Sequence, residues 1–238
     1  MTFGSGGSGG PGGFGPPPLG GGPGGIGPAG RPKRKGPVPR WQQGIVATVS
    51  FVGILYLIEL LDVLTAHPFA LSGIAPRTTD GLSGVLFAPL IHADWAHLMA
   101  NSVPLLVLGF LVFLSSLTRA LMATAIIWVI GGMGTWLTGG ENTVHIGASI
   151  IVFGWLAFLV TQGIFTRSGV QLLIGGVVLF FYGTLLWGVL PGQQGVSWQG
   201  HLFGALAGVV AAWVLSGDER ARRRAARQQL PPHGGVWQ

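Results

Sequence analysis

Four polar side chains, far apart in the chain, have the types and settings that acyl transfer needs. They are His97 and Asn101 in HADWAHLMAN, Ser149 in HIGASIIVFGW and His201 in SWQGHLFGALAG. A serine hydroxyl is a poor nucleophile at neutral pH. A neutral imidazole within hydrogen-bond reach can take its proton during attack and then protonate the leaving amine. His97 and Asn101 are four apart and share one face of a helix, where their donors can stabilise an oxyanion. The backbone N–H of Ser149 points the same way if a helix begins there. Blander readings stand beside these. A serine in a membrane helix commonly packs against a neighbour or bonds back to its own backbone, and a histidine near a helix end can simply cap it. The Ser149–His201 pair says more than either member. A zinc site on His92 and His97 would lack an HExxH motif, any cysteine and an obvious third ligand, so the metal reading is the weaker one.

What must position these groups is a bundle of apolar helices. The 238 residues are 49% hydrophobic and only 8% charged, against about 25% charged in ordinary soluble domains. Roughly 20 apolar residues cross a bilayer's hydrocarbon core, and six stretches qualify: about 44–64, 97–117, 120–137, 147–165, 169–190 and 199–216. The expected fold is therefore an all-α, polytopic six-helix membrane bundle over 44–216. Before it lies a tail, 1–43, Gly/Pro-rich and then basic. After it lies a basic tail, 217–238. Residues 1–30 have no apolar h-region, and they read as a disordered tail rather than a signal peptide.

Ten of the thirteen Lys and Arg residues lie on those tails, including Arg31, Lys33, Arg34, Lys35 and Arg40 before the bundle and Arg220, Arg222, Arg223, Arg224 and Arg227 after it. Such clusters mark the cytoplasmic side and suit anionic lipid headgroups rather than nucleic acid. With both tails inside, the short turns at Thr118–Arg119 and Arg167–Ser168 are inside too, and only Arg77 is left outside. The second, fourth and sixth spans then enter from the outside, which puts His97, Asn101, Ser149 and His201 at one shallow depth. Gly200, Gly204 and Gly208 form a small-residue ridge on the sixth span. A ridge of this kind lets two helix backbones approach closely.

With those motifs in that order, the chain resembles the rhomboid family of intramembrane serine proteases over roughly residues 82–212. The H-x4-H-x3-N pattern is met by His92, His97 and Asn101, the G-x-S pattern by Gly147, Ala148 and Ser149, and the H-x2-G-x3-G pattern by His201, Gly204 and Gly208. The resemblance implies a six-span fold with N- and C-termini inside. It implies Ser149 as nucleophile, His201 as general base and acid, and an oxyanion hole from His97, Asn101 and the Ser149 N–H, with His92 in support. The substrates implied are other transmembrane proteins, admitted sideways near the second and fifth spans, and no cofactor is implied. Phe153, four residues after the serine, would stack on the catalytic histidine. One departure is Ile150, where the family usually has glycine. A β-branched side chain there could crowd the nucleophile or the oxyanion hole.

Two other functions compete with this one. A catalytically impaired rhomboid-like protein would bind transmembrane clients without cutting them, and Ile150 is the feature that favours it. A transporter would show internal repeats or broken mid-membrane helices, and the sequence shows neither. A bacterial plasma membrane fits the overall composition. Glu59 and Asp62 read as loop anchors or hydration sites, Asp94 as a helix cap, His145 as a loop residue ahead of a role at the water entrance, and His233 as a solvated tail residue.

Overall fold

The computed structural model describes residues 38–66 and 69–228, with Gly10, Gly12, Gly13 and Gly15. Apart from those glycines, the expected tail 1–30 lies outside the described residues, as do Arg31, Lys33, Arg34, Lys35, His233 and the side chains of Arg223 and Arg227.

Six helices are long and apolar enough to cross a membrane. They are α1 (Arg40–Leu64), α3 (Trp95–Ser115), α4 (Leu117–Thr138), α5 (Ser149–Thr166), the span Gly169–Val189, and α7 (Trp198–Leu215). Helices suit this environment because each satisfies its own backbone hydrogen bonds where no water can. The first span starts at Arg40 rather than at Gly44. The turn expected at Thr118–Arg119 lies earlier, at the extended residue Ser116, so Arg119 belongs to the first turn of α4. The expected turn after the fourth span is present, with Arg167 in the left-handed conformation (φ 52°).

Three stretches differ from expectation. The connection between the first two spans is not a bare loop: it contains α2 (Asp80–Phe87) between 3-10 turns at Phe69–Ser72 and Ala88–Leu90. Asp62 anchors its start by accepting from the Phe69 N–H at 2.8 Å. The fifth span is an α-helix, α6, only over Gly169–Tyr182, and tightens to 3-10 over Gly183–Val189. Beyond α7 the chain forms a further helix, α8 (Gly217–Gln228).

The central helix is α5. Two thirds (67%) of its apolar window is buried inside the bundle, against 11% for the Gly169–Val189 span. Trp155 and Phe158 of α5 are almost fully buried, and Trp155 donates to Thr124 of α4 at 3.0 Å. By contrast Phe180, Phe181 and Leu173 lie exposed on α6, as suits a face solvated by lipid. The glycine ridge of α7 meets α5: a methyl group at Gly204 would collide with the Ile150 carbonyl, and one at Gly208 with the Gly154 carbonyl. These close approaches put the N-terminal turns of α5 and α7 side by side.

Candidate active site

The segment leading into Ser149 is held by backbone bonds to the first loop. Ile74 and His145 exchange both N–H···O bonds, at 2.9 and 3.0 Å, and the Gly147 N–H donates to the Ala88 carbonyl at 2.8 Å. Helix α5 begins at Ser149, so the Ser149 N–H lies in its first turn and has no partner from the preceding turn of helix. Gly147 has φ +113°, and a Cβ there would come 2.7 Å from His97 Nε2. Only glycine meets both conditions.

Across from this segment, Asp94 caps α3 by accepting from the His97 N–H at 2.7 Å. The Ala93 N–H lies 3.5 Å from His97 Nδ1. Nδ1 then accepts, Nε2 carries the proton, and that N–H faces Gly147. Asn101 is buried and donates one amide hydrogen to the His97 carbonyl at 2.9 Å, leaving its second hydrogen for another acceptor. His92 sits behind them, 1% exposed, its ring edge-on to His97 at 5.1 Å. Its Nε2 accepts from the Ala148 N–H at 3.4 Å. Burial, and secondarily the neighbouring His97, lower the His92 pKa to about 4. His92 is therefore a neutral prop for the loop, away from the cavity lining.

His201 is oriented from two sides. Its Nδ1 lies 2.9 Å from the Gly188 carbonyl. A carbonyl only accepts, so Nδ1 carries the proton and Nε2 keeps a free lone pair. The Phe153 ring stacks on the imidazole, with centroids 4.0 Å apart and planes within 8°. A side chain at Gly188 would wedge between these groups, its Cβ 2.9 Å from Phe153 Cζ and 3.0 Å from His201 Nδ1. Ser149, His201, His97 and Asn101 all line one cavity of about 800 Å³. The four residues singled out in the sequence are thus brought together. Among the described residues no group of three or more His, Cys, Asp or Glu side chains could hold a metal ion.

The crowding expected from Ile150 does not occur. Its side chain turns away from the cavity into a notch between α4 and α7. A Cβ at Gly131 would come 2.6 Å from Ile150 Cγ2, and one at Gly200 3.1 Å from Cγ1. Three groups went unnoticed in the sequence. Gly188 gave no signal there, because its contribution is a backbone carbonyl. Gly131 is one glycine among 43. Ser197 looked like an ordinary residue before a helix, although its position four before His201 was visible.

The Rhomboid domain family model matches residues 79–218. Among curated proteins, an uncharacterized protein of Mycobacterium tuberculosis is 56% identical over 197 residues, covering 79% of this chain and 82% of its own. An uncharacterized protein of Mycobacterium leprae is 51% identical over 192 residues, covering 77% and 76%. The rhomboid-like protein 11, chloroplastic, of Arabidopsis thaliana is 32% identical over 144 residues, covering 54% and 51%. No solved structure matches. With a family model spanning more than half of the chain and all three motif segments, this multi-pass membrane protein belongs to the rhomboid family.

Proposed function

We propose that the protein is an intramembrane serine endopeptidase that cuts transmembrane proteins. The observation that carries this reading is the state of His201: Nδ1 is bound to the Gly188 carbonyl and Phe153 fixes the ring plane, while the basic Nε2 shares a cavity with Ser149. A general base needs that tautomer and that restraint. In other serine hydrolases a carboxylate supplies them; here a main-chain carbonyl and a stacked ring take its place.

The chemistry runs in two halves. Nε2 takes the Ser149 proton as Oγ bonds to the scissile carbonyl carbon. The resulting oxyanion is met by the Ser149 N–H, the free Asn101 amide hydrogen and His97 Nε2–H. The C–N bond then breaks, and the proton on His201 goes to the departing amine. Water, deprotonated by the same nitrogen, cleaves the acyl ester and restores the serine. The topology that fits has both termini inside and the cavity opening outward, in a bacterial plasma membrane. Substrates would be helices that unwind readily, because a peptide bond within an intact helix is shielded.

The test uses the full chain in mild detergent with a panel of reporter transmembrane substrates and a fluorophosphonate probe. Cleavage and probe labelling should both vanish in Ser149→Ala, and cleavage in His201→Ala. A well-folded wild type that neither cleaves nor labels would instead point to client binding.

A further inference from the structure

Four residues before Ser149 stands His145, and four before His201 stands Ser197. These two side chains meet, with His145 Nδ1 2.7 Å from Ser197 Oγ. His145 Nε2 lies 2.9 Å from Thr143 Oγ1, whose hydroxyl donates to the Gly140 carbonyl at 2.7 Å. Ser197 Oγ caps α7 by accepting from the Gly200 N–H at 3.3 Å.

Counting protons fixes the direction of every bond. The one Thr143 hydroxyl proton goes to Gly140, so Thr143 Oγ1 accepts from His145 Nε2–H. His145 Nδ1 is then bare and accepts the Ser197 hydroxyl proton, and Ser197 Oγ keeps a lone pair for the Gly200 N–H. Each donor and acceptor is used once, and the imidazole is neutral. Burial lowers the pKa of His145 and favours the same state. The ring projects from backbone already bonded to Ile74, so its position is set independently of α7.

We propose that His145 and Ser197 form a positioning clasp that sets the spacing of the two helix N-termini carrying Ser149 and His201. This inference rests on the proposed dyad. The glycine ridge brings α5 and α7 into contact from the first turn of α5 inward, Gly204 against the Ile150 carbonyl and Gly208 against the Gly154 carbonyl, but glycines offer no side chain to hydrogen-bond across that contact. At the level of the chemistry the clasp is the direct side-chain hydrogen bond between the approach to α5 and the cap of α7. Serine has one rotatable carbon and cannot follow a displaced base. A misplacement of about 1 Å costs on the order of 100-fold in rate.

The experiment measures kcat and KM for His145→Ala, Ser197→Ala and the double variant in the full chain, with detergent melting temperatures in parallel. Each single substitution should lower kcat about 10- to 100-fold and leave KM within about threefold. The double variant should be no slower than the slower single, because either change opens the same bond. Ser197→Thr keeps the hydroxyl and should recover most of the rate, as should His145→Asn, whose amide oxygen stands where Nδ1 did and can accept the Ser197 proton. Wild-type kcat in the single variants, or losses that multiply in the double, would overturn the clasp while Ser149→Ala still abolished cleavage. Should an alanine variant fail to fold, Ser197→Cys, which keeps the bulk but weakens the bond, is set against Ser197→Thr, which keeps it: a slower cysteine variant supports the clasp, and equal wild-type rates overturn it. Cleavage that survived Ser149→Ala would remove the dyad, and the clasp with it.

Discussion

Replacing Ile150 by glycine would restore the family's usual G-x-S-G pattern, and the structure predicts that it harms the protein. Ile150 is 4% exposed and fills a notch whose walls at Gly131 and Gly200 have no side chains. Neither wall can extend into the space left behind. Truncating a buried isoleucine to alanine typically costs about 2–5 kcal/mol, part of it for the cavity. In a membrane bundle the transfer part shrinks, because apolar surface gains little by leaving lipid for protein. The additional penalty for glycine is also reduced, since Ile150 lies in the first turn of α5. A loss of about 2 kcal/mol follows, mostly from the unfilled notch. Ile150→Val should lose only about 0.5–1.5 kcal/mol. Because Ile150 wedges α5 between α4 and α7 one residue after Ser149, its loss lets α5 shift against α7, and fluorophosphonate labelling should slow by about tenfold or more. The assay pairs denaturant titration in detergent with labelling kinetics. A glycine variant at least as stable as wild type and labelled faster would refute the reasoning and return Ile150 to the role of an obstruction.

Other substitutions probe the histidine's supports. Gly188→Ala should cut kcat by on the order of 100-fold, because the added methyl displaces the His201 ring or the carbonyl it donates to; an unchanged kcat would mean that the 3-10 segment shifts at no cost. Phe153→Ala removes a stacking contact worth about 0.5–1.5 kcal/mol and should slow turnover by roughly 2- to 13-fold, a drop read in kcat with KM little changed. The buried His92, with its pKa of about 4 against an ordinary 6.5, makes stability depend on pH. As pH falls through 6.5 the unfolded chain takes up a proton there that the folded chain refuses. Stability should therefore decline from about pH 6.5 to about 4 and level off below, at up to ~1.4 kcal/mol per pH unit for this one group. Melting curves in detergent should show a shallower acid slope for His92→Gln; equal slopes would remove His92 as the cause.

The spans and their order were legible in the sequence because lipid demands long apolar helices, and these leave a strong signal. The four cavity residues were legible because each sits at a helix start on a motif, so topology alone brought them to one level. Less visible was anything made by the backbone. The 3-10 tightening at Gly183 follows no apolar pattern, since Gly169–Val189 is hydrophobic throughout, and so the Gly188 carbonyl could not be placed. The connection between the first two spans left no helical signal because α2 is short, although its Ala88 carbonyl and Ile74 backbone hold the approach to Ser149. Ile150 shows the limit most clearly. The type of residue suggested a clash, but which way its side chain points depends on two glycines in other helices.

The order of the spans also sets a timetable. A chain made from its N-terminus delivers α3 first, with His97 and Asn101, then α5 with Ser149, and only with α7, the last apolar span, His201. Until α7 has left the ribosome, the serine hydroxyl has no imidazole to give its proton to, and the close glycine face that seats α5 is missing. On the proposed mechanism a nascent chain still lacking α7 would be inert toward its neighbours, and reactivity would arrive in a single step with that helix.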